Sequence, residues 1–303
     1  MNVVITGSSG FLASNLIHFL LKKKIKIFVL TRNKKKFLKI KKKFPQVKSF
    51  NTIKKKINIE CIYHCASPND IQSNKSINLS IDGNIKFTYK VMLLVIKFEI
   101  KKIIYLSTAQ VYGKSLTGYV DEKKECKPLN NYGLFHKFSE DLIKKMIISN
   151  KLDTKCIILR LSNIVGTGQF YNKDILRLLP NNICESIKKN NTAILKSSGK
   201  QYRNFLGVND LVNILFLILK NKKISSGIYN VGGRNMAVIS LVKKISYYLS
   251  QYTKIKNVIK IKGTIPKISK KLYFSSKKIN TILKIKSENK SLKNTIINIF
   301  QKL

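Results

Sequence analysis

The segment Asn2-Val3-Val4-Ile5-Thr6-Gly7-Ser8-Ser9-Gly10-Phe11-Leu12-Ala13 decides how the chain begins. Residues 2–5 form a short apolar run and predict a buried strand. Beyond the glycines, Leu12, Leu16, Phe19 and Leu20 recur at helical spacing and predict a helix. Between the two lies Gly7-x-x-Gly10-x-x-Ala13. Gly7 permits a tight turn, Gly10 lets the backbone approach a ligand, and Ala13 is small enough for helix to pack on strand. The helix N-terminus behind such a turn offers N–H groups and the positive end of a dipole, which suits phosphate. Glycine spacing alone is weak evidence, but its place between strand and helix favours a dinucleotide-binding turn over an ordinary loop.

Further along, residues 25–30, 59–65, 103–107 and 156–161 read as strands, and 85–98 and 132–148 as long helices between them. Strands alternating with helices predict a parallel sheet covered on both faces. The second half is less regular. It carries helical patterns over 209–219, 238–249 and 292–300 and a strand over 227–231. Neither an internal repeat nor a low-complexity linker separates the halves, so they are expected to interleave.

With 44% hydrophobic and 24% charged residues, the 303-residue chain has a globular balance, which excludes disorder as its main state. No apolar run reaches the roughly 18 residues of a spanning helix. The N-terminal residues lack the basic region and cleavage site of a secretory signal, so a cytoplasmic location is expected. Cys61, Cys65, Cys126, Cys156 and Cys184 are odd in number, scattered and free of CxxC pairing, which predicts reduced thiols and no metal site. The 59 basic residues against 14 acidic give a net charge of +45. Five are Arg and the rest Lys, and Ile and Asn are also abundant, as an A/T-rich coding sequence would produce. A nucleic-acid or anionic-surface binder would more often concentrate its lysines in one patch, whereas these run the whole length. Compositional drift is therefore favoured. The charge still implies salt-sensitive, non-specific affinity for polyanions, and it favours an anionic substrate.

More segments fall in an order that resembles one family, the extended short-chain dehydrogenases/reductases, or NAD-dependent epimerase/dehydratase family. Residues 6–13 are similar to its opening motif, with Ala13 where a third Gly is usual. Tyr63-His64-Cys65-Ala66-Ser67 looks like its His-x-Ala segment, and Ser107-Thr108-Ala109-Gln110-Val111-Tyr112-Gly113 like its active-site strand end. Tyr132-Gly133 stands where its catalytic Tyr belongs. Arg160-Leu161-Ser162-Asn163-Ile164-Val165-Gly166, then residues 201–210 around Arg203, then Tyr229-Asn230-Val231-Gly232 and Ser276-Lys277 complete the set. The resemblance implies a Rossmann-type doubly wound parallel sheet with a smaller C-terminal α/β substrate-binding part. The dinucleotide-binding domain would span 1–168, with 203–232 returning to it, and 169–303 would be mainly substrate-binding.

The resemblance also implies a site. Gly7, Ser9, Gly10, Phe11, Leu12, Thr31, Arg32, Cys65, Ala66 and His136 would contact the cofactor. An acidic residue normally ends the second strand and binds the ribose of NAD. Here the strand ends Leu30-Thr31-Arg32-Asn33-Lys34, with Thr31 in the acid's place, so Arg32 and Lys34 would face the 2′-phosphate of NADP. NADP is expected, with NAD as the alternative. Thr108 would supply a hydroxyl and Tyr132 the base. A lysine four residues after the Tyr, one helical turn on, ordinarily stabilises the tyrosinate. That residue here is His136, and Lys137 is rotated about 100° around the helix. Tyr119/Lys123 and Tyr252/Lys256 repeat the spacing elsewhere, as chance matches in a Lys-rich chain. A protonated His136 would supply the cation, making Thr108, Tyr132 and His136 one proton-transfer unit. Asn163 and Arg203 would hold a nucleotide diphosphate, the planar Arg suiting paired oxygens. The Asp-Glu pair of 4,6-dehydratases is replaced by Ala109-Gln110, which disfavours dehydration and leaves epimerisation or keto-sugar reduction. The helices over 85–98 and 132–148 would form a homodimer bundle. The alternative is a catalytically weakened NADP-binding protein of the same fold that acts by binding a partner.

Overall fold

The computed structural model describes residues 1–31, 33–53, 57–113, 116–170, 173–263, 270–285 and 290–303. Strands β1 (Asn2–Thr6), β2 (Lys26–Leu30), β3 (Lys48–Ser49), β4 (Cys61–His64) and β5 (Lys102–Thr108) alternate with helices α1 (Phe11–Lys22), α2 (Lys34–Lys43), α3 (Asp70–Lys75), α4 (Ile77–Ser80) and α5 (Phe87–Lys97). There follow β6 (Gly118–Val120), α6 (Asn131–Ser149), β7 (Lys155–Leu161), β8 (Asn163–Val165), α7 (Leu179–Asn190), β9 (Thr192–Leu195), β10 (Tyr202–Gly207), α8 (Val208–Lys220) and β11 (Gly227–Val231). The chain closes with β12 (Arg234–Ala237), α9 (Val238–Thr253), β13 (Val258–Ile261), β14 (Leu272–Phe274), α10 (Lys277–Leu283) and α11 (Lys290–Lys302).

Two compact units share these elements. The first comprises Met1–Ser115, Lys124–Leu161 and Leu215–Asn230. It holds a seven-stranded sheet in the order β11-β7-β5-β4-β1-β2-β3, with parallel pairing from β3 through to β7. The alternation of strand and helix predicted such a sheet, and the Rossmann-type architecture is present. Chain order reverses between β1 and β4, and in open α/β sheets ligands bind outside the strand ends at such a switch point. The core is apolar on both sides of the central strands. Val4, Ile62, Ile103, Tyr105 and Ile158 pack against Val91, Met92 and Val95 of α5 and Ile143 of α6. All seven residues of β5 are buried, and its centre, 103–106, is apolar throughout.

The second unit comprises Leu116–Lys123, Ser162–Ile214 and Val231–Leu303. Its strands pair in small sheets, β12-β10-β8, β13-β9 and β14-β6. Its core gathers Ile183 and Ile187 of α7, Phe205 of β10, Leu241, Val242 and Ile245 of α9, and Ile296 and Ile299 of α11.

Two polar ties fix the first unit. At the switch point the Thr6 hydroxyl oxygen accepts the backbone N–H groups of Cys65 and Ala66, each at 3.1 Å. Thr6 then donates its own proton to His64 Nδ1 at 2.9 Å, so the ring carries its proton on Nε2 and donates to Thr88 Oγ1 at 2.9 Å. Burial pushes the His64 pKa down to about 3. Deeper in the sheet, Arg160 of β7 donates from Nε (3.1 Å) and Nη2 (2.7 Å) to the two carboxylate oxygens of Glu140 on α6. Ser107 of β5 donates to the same carboxylate at 2.5 Å. The guanidinium also lies 4.7 Å from the Tyr112 ring centroid, and it is held charged by Glu140 against the cost of burial.

Two outcomes follow from these ties. Glu140→Ala leaves Arg160 buried without a counter-charge, and urea unfolding should register a loss of about 3–5 kcal/mol. The pair Glu140→Ala/Arg160→Met should recover part of it. His64 stays neutral when folded but takes up a proton near pH 6.5 when unfolded, so its contribution to stability is complete above about pH 6.5 and is lost as pH falls toward 3. Urea midpoints measured from pH 7.5 down to 4 should decline, and His64→Gln should reduce the slope by up to about 1.4 kcal/mol per pH unit.

Candidate functional site

Gly7 follows β1 with φ +66°, a left-handed conformation, and a Cβ there would lie 2.9 Å from the Ala66 Cα and N atoms. Glycine is therefore demanded twice, by dihedral and by space. The turn closes with Gly10 N–H donating to Gly7 O at 2.8 Å. Helix α1 starts after Gly10 with no side-chain cap and no acidic residue in its first turn. Ser9 and Gly10 are exposed, and Phe11 and Leu12 half-buried. Cys65 and Ala66, at the end of β4, are half-buried beside this turn, and burial pushes the Cys65 thiol up to about 12. The structure thus brings together seven of the expected cofactor contacts.

The end of β2 is built differently. The Thr31 hydroxyl accepts from Asn33 N–H at 3.4 Å, and the Thr31 carbonyl accepts from Asn51 Nδ2 at 2.7 Å. Asn33 caps α2 by accepting from Lys36 N–H. Arg32 lies outside the described residues.

The catalytic candidates meet at the end of β5 and the start of α6. Asn130 caps α6, accepting from Gly133 N–H at 2.7 Å, and its amide donates to Gln110 Oε1 at 2.7 Å. A Cβ on Gly133 would come 2.5 Å from the Gln110 carbonyl oxygen. The glycine after Tyr132 therefore lets the first turn of α6 lie directly on the 3-10 turn Ala109–Tyr112. Tyr132 is half-buried there, and burial with the Asp70 charge pushes its pKa up to about 12, against a hydrogen-bond contribution from Thr108. Thr108 is buried and also accepts from Gln110 N–H at 3.2 Å.

His136 packs edge-on against Tyr132, with ring centroids 4.6 Å apart. Its Nε2 lies 3.0 Å from Ser67 Oγ and its Nδ1 2.8 Å from the Tyr105 hydroxyl. Only 2% of its surface is exposed, and burial pushes its pKa down to about 3. Enclosure and burial work against the protonated His136 expected in the place of the lysine. Lys137 pairs with Asp141 instead. A π-helical turn, Ile81–Lys86, precedes α5 and buries Asn84, whose amide oxygen and nitrogen have no hydrogen-bond partner.

Spacing alone missed the roles of Thr6, Ser67, Tyr105 and Gln110. Ser67 is the residue after the His-x-Ala segment, so extending that motif by one position would have found it.

The substrate candidates belong to the second unit. Asn163 opens β8 and Arg203 lies on β10, both exposed. Asn163 Nδ2 donates to Asn204 O at 2.9 Å. Asn204 in turn donates to Gly233 O and accepts from Gly233 N–H, holding the loop after β11. Among the described residues no helix is long and apolar enough to cross a membrane, and no cluster of three His, Cys, Asp or Glu side chains could hold a metal ion.

Similarity to known proteins follows this geometry. A dTDP-D-glucose 4,6-dehydratase of Dictyostelium discoideum is 27% identical over 259 residues, 76% of this chain and 58% of that protein, so the chain spans well under two thirds of that relative's length. An ADP-L-glycero-D-manno-heptose-6-epimerase of Brachyspira hyodysenteriae is 24% identical over 247 residues, 77% of this chain and 76% of that one. The fold is shared with UDP-glucuronic acid 4-epimerase from Bacillus cereus in complex with UDP-glucuronic acid and NAD, at TM-score 0.77 and 18% identity, covering 100% of both chains. Residues 3–232 match the profile of the NAD dependent epimerase/dehydratase family. With that match running from β1 through β11, the chain belongs to the NAD dependent epimerase/dehydratase family, a branch of the extended short-chain dehydrogenases/reductases.

Proposed function

We propose that the chain is an NAD(P)-dependent nucleotide-sugar epimerase or keto-sugar reductase in which Tyr132 moves the proton at a sugar oxygen and Thr108 hydrogen-bonds the same oxygen. The observation that carries this is the contact of Gly133 with the Gln110 carbonyl, which sets Tyr132 against Thr108 at the end of β5. The first unit would be the dinucleotide-binding part and the second mainly the substrate part.

Gly7, Ser9, Gly10, Phe11 and Leu12 would hold the pyrophosphate, and Cys65 and Ala66 the neighbouring ribose. The residues fit such a group. The turn leaves no room for a Cβ, the start of α1 is uncapped, and the protonated Cys65 thiol adds no negative charge. The bound nicotinamide would supply or accept a hydride at a sugar carbon. Tyr132 would exchange the hydroxyl proton, while His136, through Ser67 and Tyr105, keeps α6 seated against β4 and β5. Asn163 and Arg203 would bind the substrate diphosphate, Arg203 with two parallel hydrogen bonds. Ala109 and Gln110 carry no acid or base, and Gln110 serves to anchor the cap of α6, so 4,6-dehydration is disfavoured.

NADP is the preferred cofactor. Residues 1–59 contain no Asp or Glu, so no carboxylate follows β2 to bind the adenosine ribose. Thr31, Arg32 and Lys34 stand there instead, and the three lysines opening α2 sit at the positive end of its dipole, where an anion would relieve them. A homodimer is supported by Tyr89 and Leu93 on α5 and Phe138 and Ile148 on α6, which are exposed. A cytoplasmic location agrees with five free cysteines. The replacement of the usual lysine by His136 favours the second reading, a weakened NADP-binding module.

Titration of intrinsic or cofactor fluorescence should show tighter binding of NADPH than of NADH, and Gly7→Ala should abolish both. Tighter NADH binding would overturn the cofactor assignment. In a panel of nucleotide sugars and their keto forms, Tyr132→Phe should cost on the order of a hundredfold or more in rate with dinucleotide affinity retained. Full activity in that variant would show the catalytic assignment to be wrong. Absence of turnover in wild type with NADPH bound would favour the binding module.

A further inference from the structure

The residue one turn after Tyr132 decides what Tyr132 can do with its proton. The Ser67 hydroxyl donates its single proton to the Pro68 carbonyl at 2.8 Å. Its oxygen therefore accepts from His136, which places the ring proton on Nε2. The Nδ1 lone pair is then the acceptor for the Tyr105 phenol at 2.8 Å. Both nitrogens are used by a ring carrying one proton, and a second proton would have to displace the Tyr105 bond.

The remaining charges around Tyr132 do not compensate. From α3, Asp70 opposes loss of the phenolic proton. On α6 itself, Lys137 is paired with Asp141, and Glu140 is bound by Arg160 of β7 and Ser107 of β5. On the turn Ala109–Tyr112, Tyr112 stacks on that same Arg160. In the π-helical turn, Asp82 and Lys86 form an exposed pair with each other. Among the described residues the one charge acting on the Tyr132 phenol is that of Asp70, and Thr108 contributes only a hydroxyl.

We propose that Tyr132 serves as a proton donor, so that the site reduces a carbonyl of its sugar substrate instead of oxidising an alcohol. This rests on the dinucleotide site proposed above and narrows it to the keto-sugar reductase. In that direction the carbonyl carbon gains a hydride from the reduced nicotinamide and the C=O π pair moves to oxygen. Tyr132 then gives its phenolic proton to that oxygen. An alcohol results, the cofactor is left oxidised by two electrons, and the tyrosinate recovers a proton from water. Epimerisation would have to begin the other way, with a phenol already ionised at rest removing a hydroxyl proton, and among the described residues no cation acts on the phenol to keep it ionised. The phenol's upward shift, to about 12, agrees with that order of events.

The test reads the proton directly, on the free protein. Tyrosines labelled with carbon-13 at Cζ are titrated by NMR, and Tyr132 is assigned as the resonance lost in Tyr132→Phe. The Tyr132 signal should remain that of the neutral phenol past pH ~10, the ordinary tyrosine value. His136→Lys should lower its midpoint by about 1–3 units. Ionisation of wild-type Tyr132 below pH 8 would overturn the proposal, and that measurement stands even if His136→Lys does not fold. With NADPH and a nucleotide-4-ketosugar, the reduction rate should be level from pH 6 to 9. Oxidation of the matching alcohol with NADP should rise about tenfold per pH unit across that range, and a level oxidation profile would overturn the proposal. Failure of the dinucleotide to bind would instead remove the site beneath it, and the separate cofactor titration detects that.

Discussion

The Thr6 hydroxyl is the contact on which the site depends. One oxygen accepts two backbone N–H groups from the segment after β4, and its proton goes to His64. A buried amide without a partner costs about 1–3 kcal/mol, so loss of this oxygen would release two such groups at once. The tie brings Ala66 against Gly7 and thereby shapes the turn before α1. The same segment continues to Ser67, which reaches His136 and through it Tyr105. The turn after β1 and the start of α6 are thus set by consecutive residues of a single loop.

The rotation of α6 is fixed at two heights. At its start, Asn130 is bonded to Gln110, and one turn past His136 the Glu140 carboxylate is clamped by Arg160 and Ser107. Successive helical residues differ by about 100°, so position 136 and not 137 shares the face of Tyr132, and these anchors turn that face toward Ser67 and Tyr105. Burying an ion pair is costly and adds little net stability, but it fixes geometry. The consequence here is that Lys137 is directed to Asp141 and cannot take over the missing cation.

Much of the first unit was legible in the sequence because β1, β5 and β7 are buried on both faces and carry the apolar runs 3–5, 103–106 and 156–159. Helix α2 was not legible. Its sequence is nearly all lysine, and only Ile40 is buried, so its pattern carries no apolar stripe. The strands of the second unit were missed for a different reason. β6 pairs with β14 and β9 with β13, short partners separated by long stretches of chain, and no local pattern encodes the pairing. At the site, the family resemblance pointed to Thr108, Tyr132 and His136 but carried nothing on the charge of the imidazole. That charge depends on Ser67, Tyr105 and the depth of burial, which are properties of the fold.

The first unit is assembled from three separate stretches of chain, and its last strand ends only after residue 230. A ribosome releases the chain N-terminus first, and parallel strands must wait for their crossovers. The seven-stranded sheet therefore stays open along β7 until residues 162–214 of the second unit have been made. During that interval the apolar edge of β7 is exposed to other nascent chains. Neither unit can be obtained by a single cut, and a nonsense mutation anywhere before β11 removes an edge strand from the sheet at the other end of the gene.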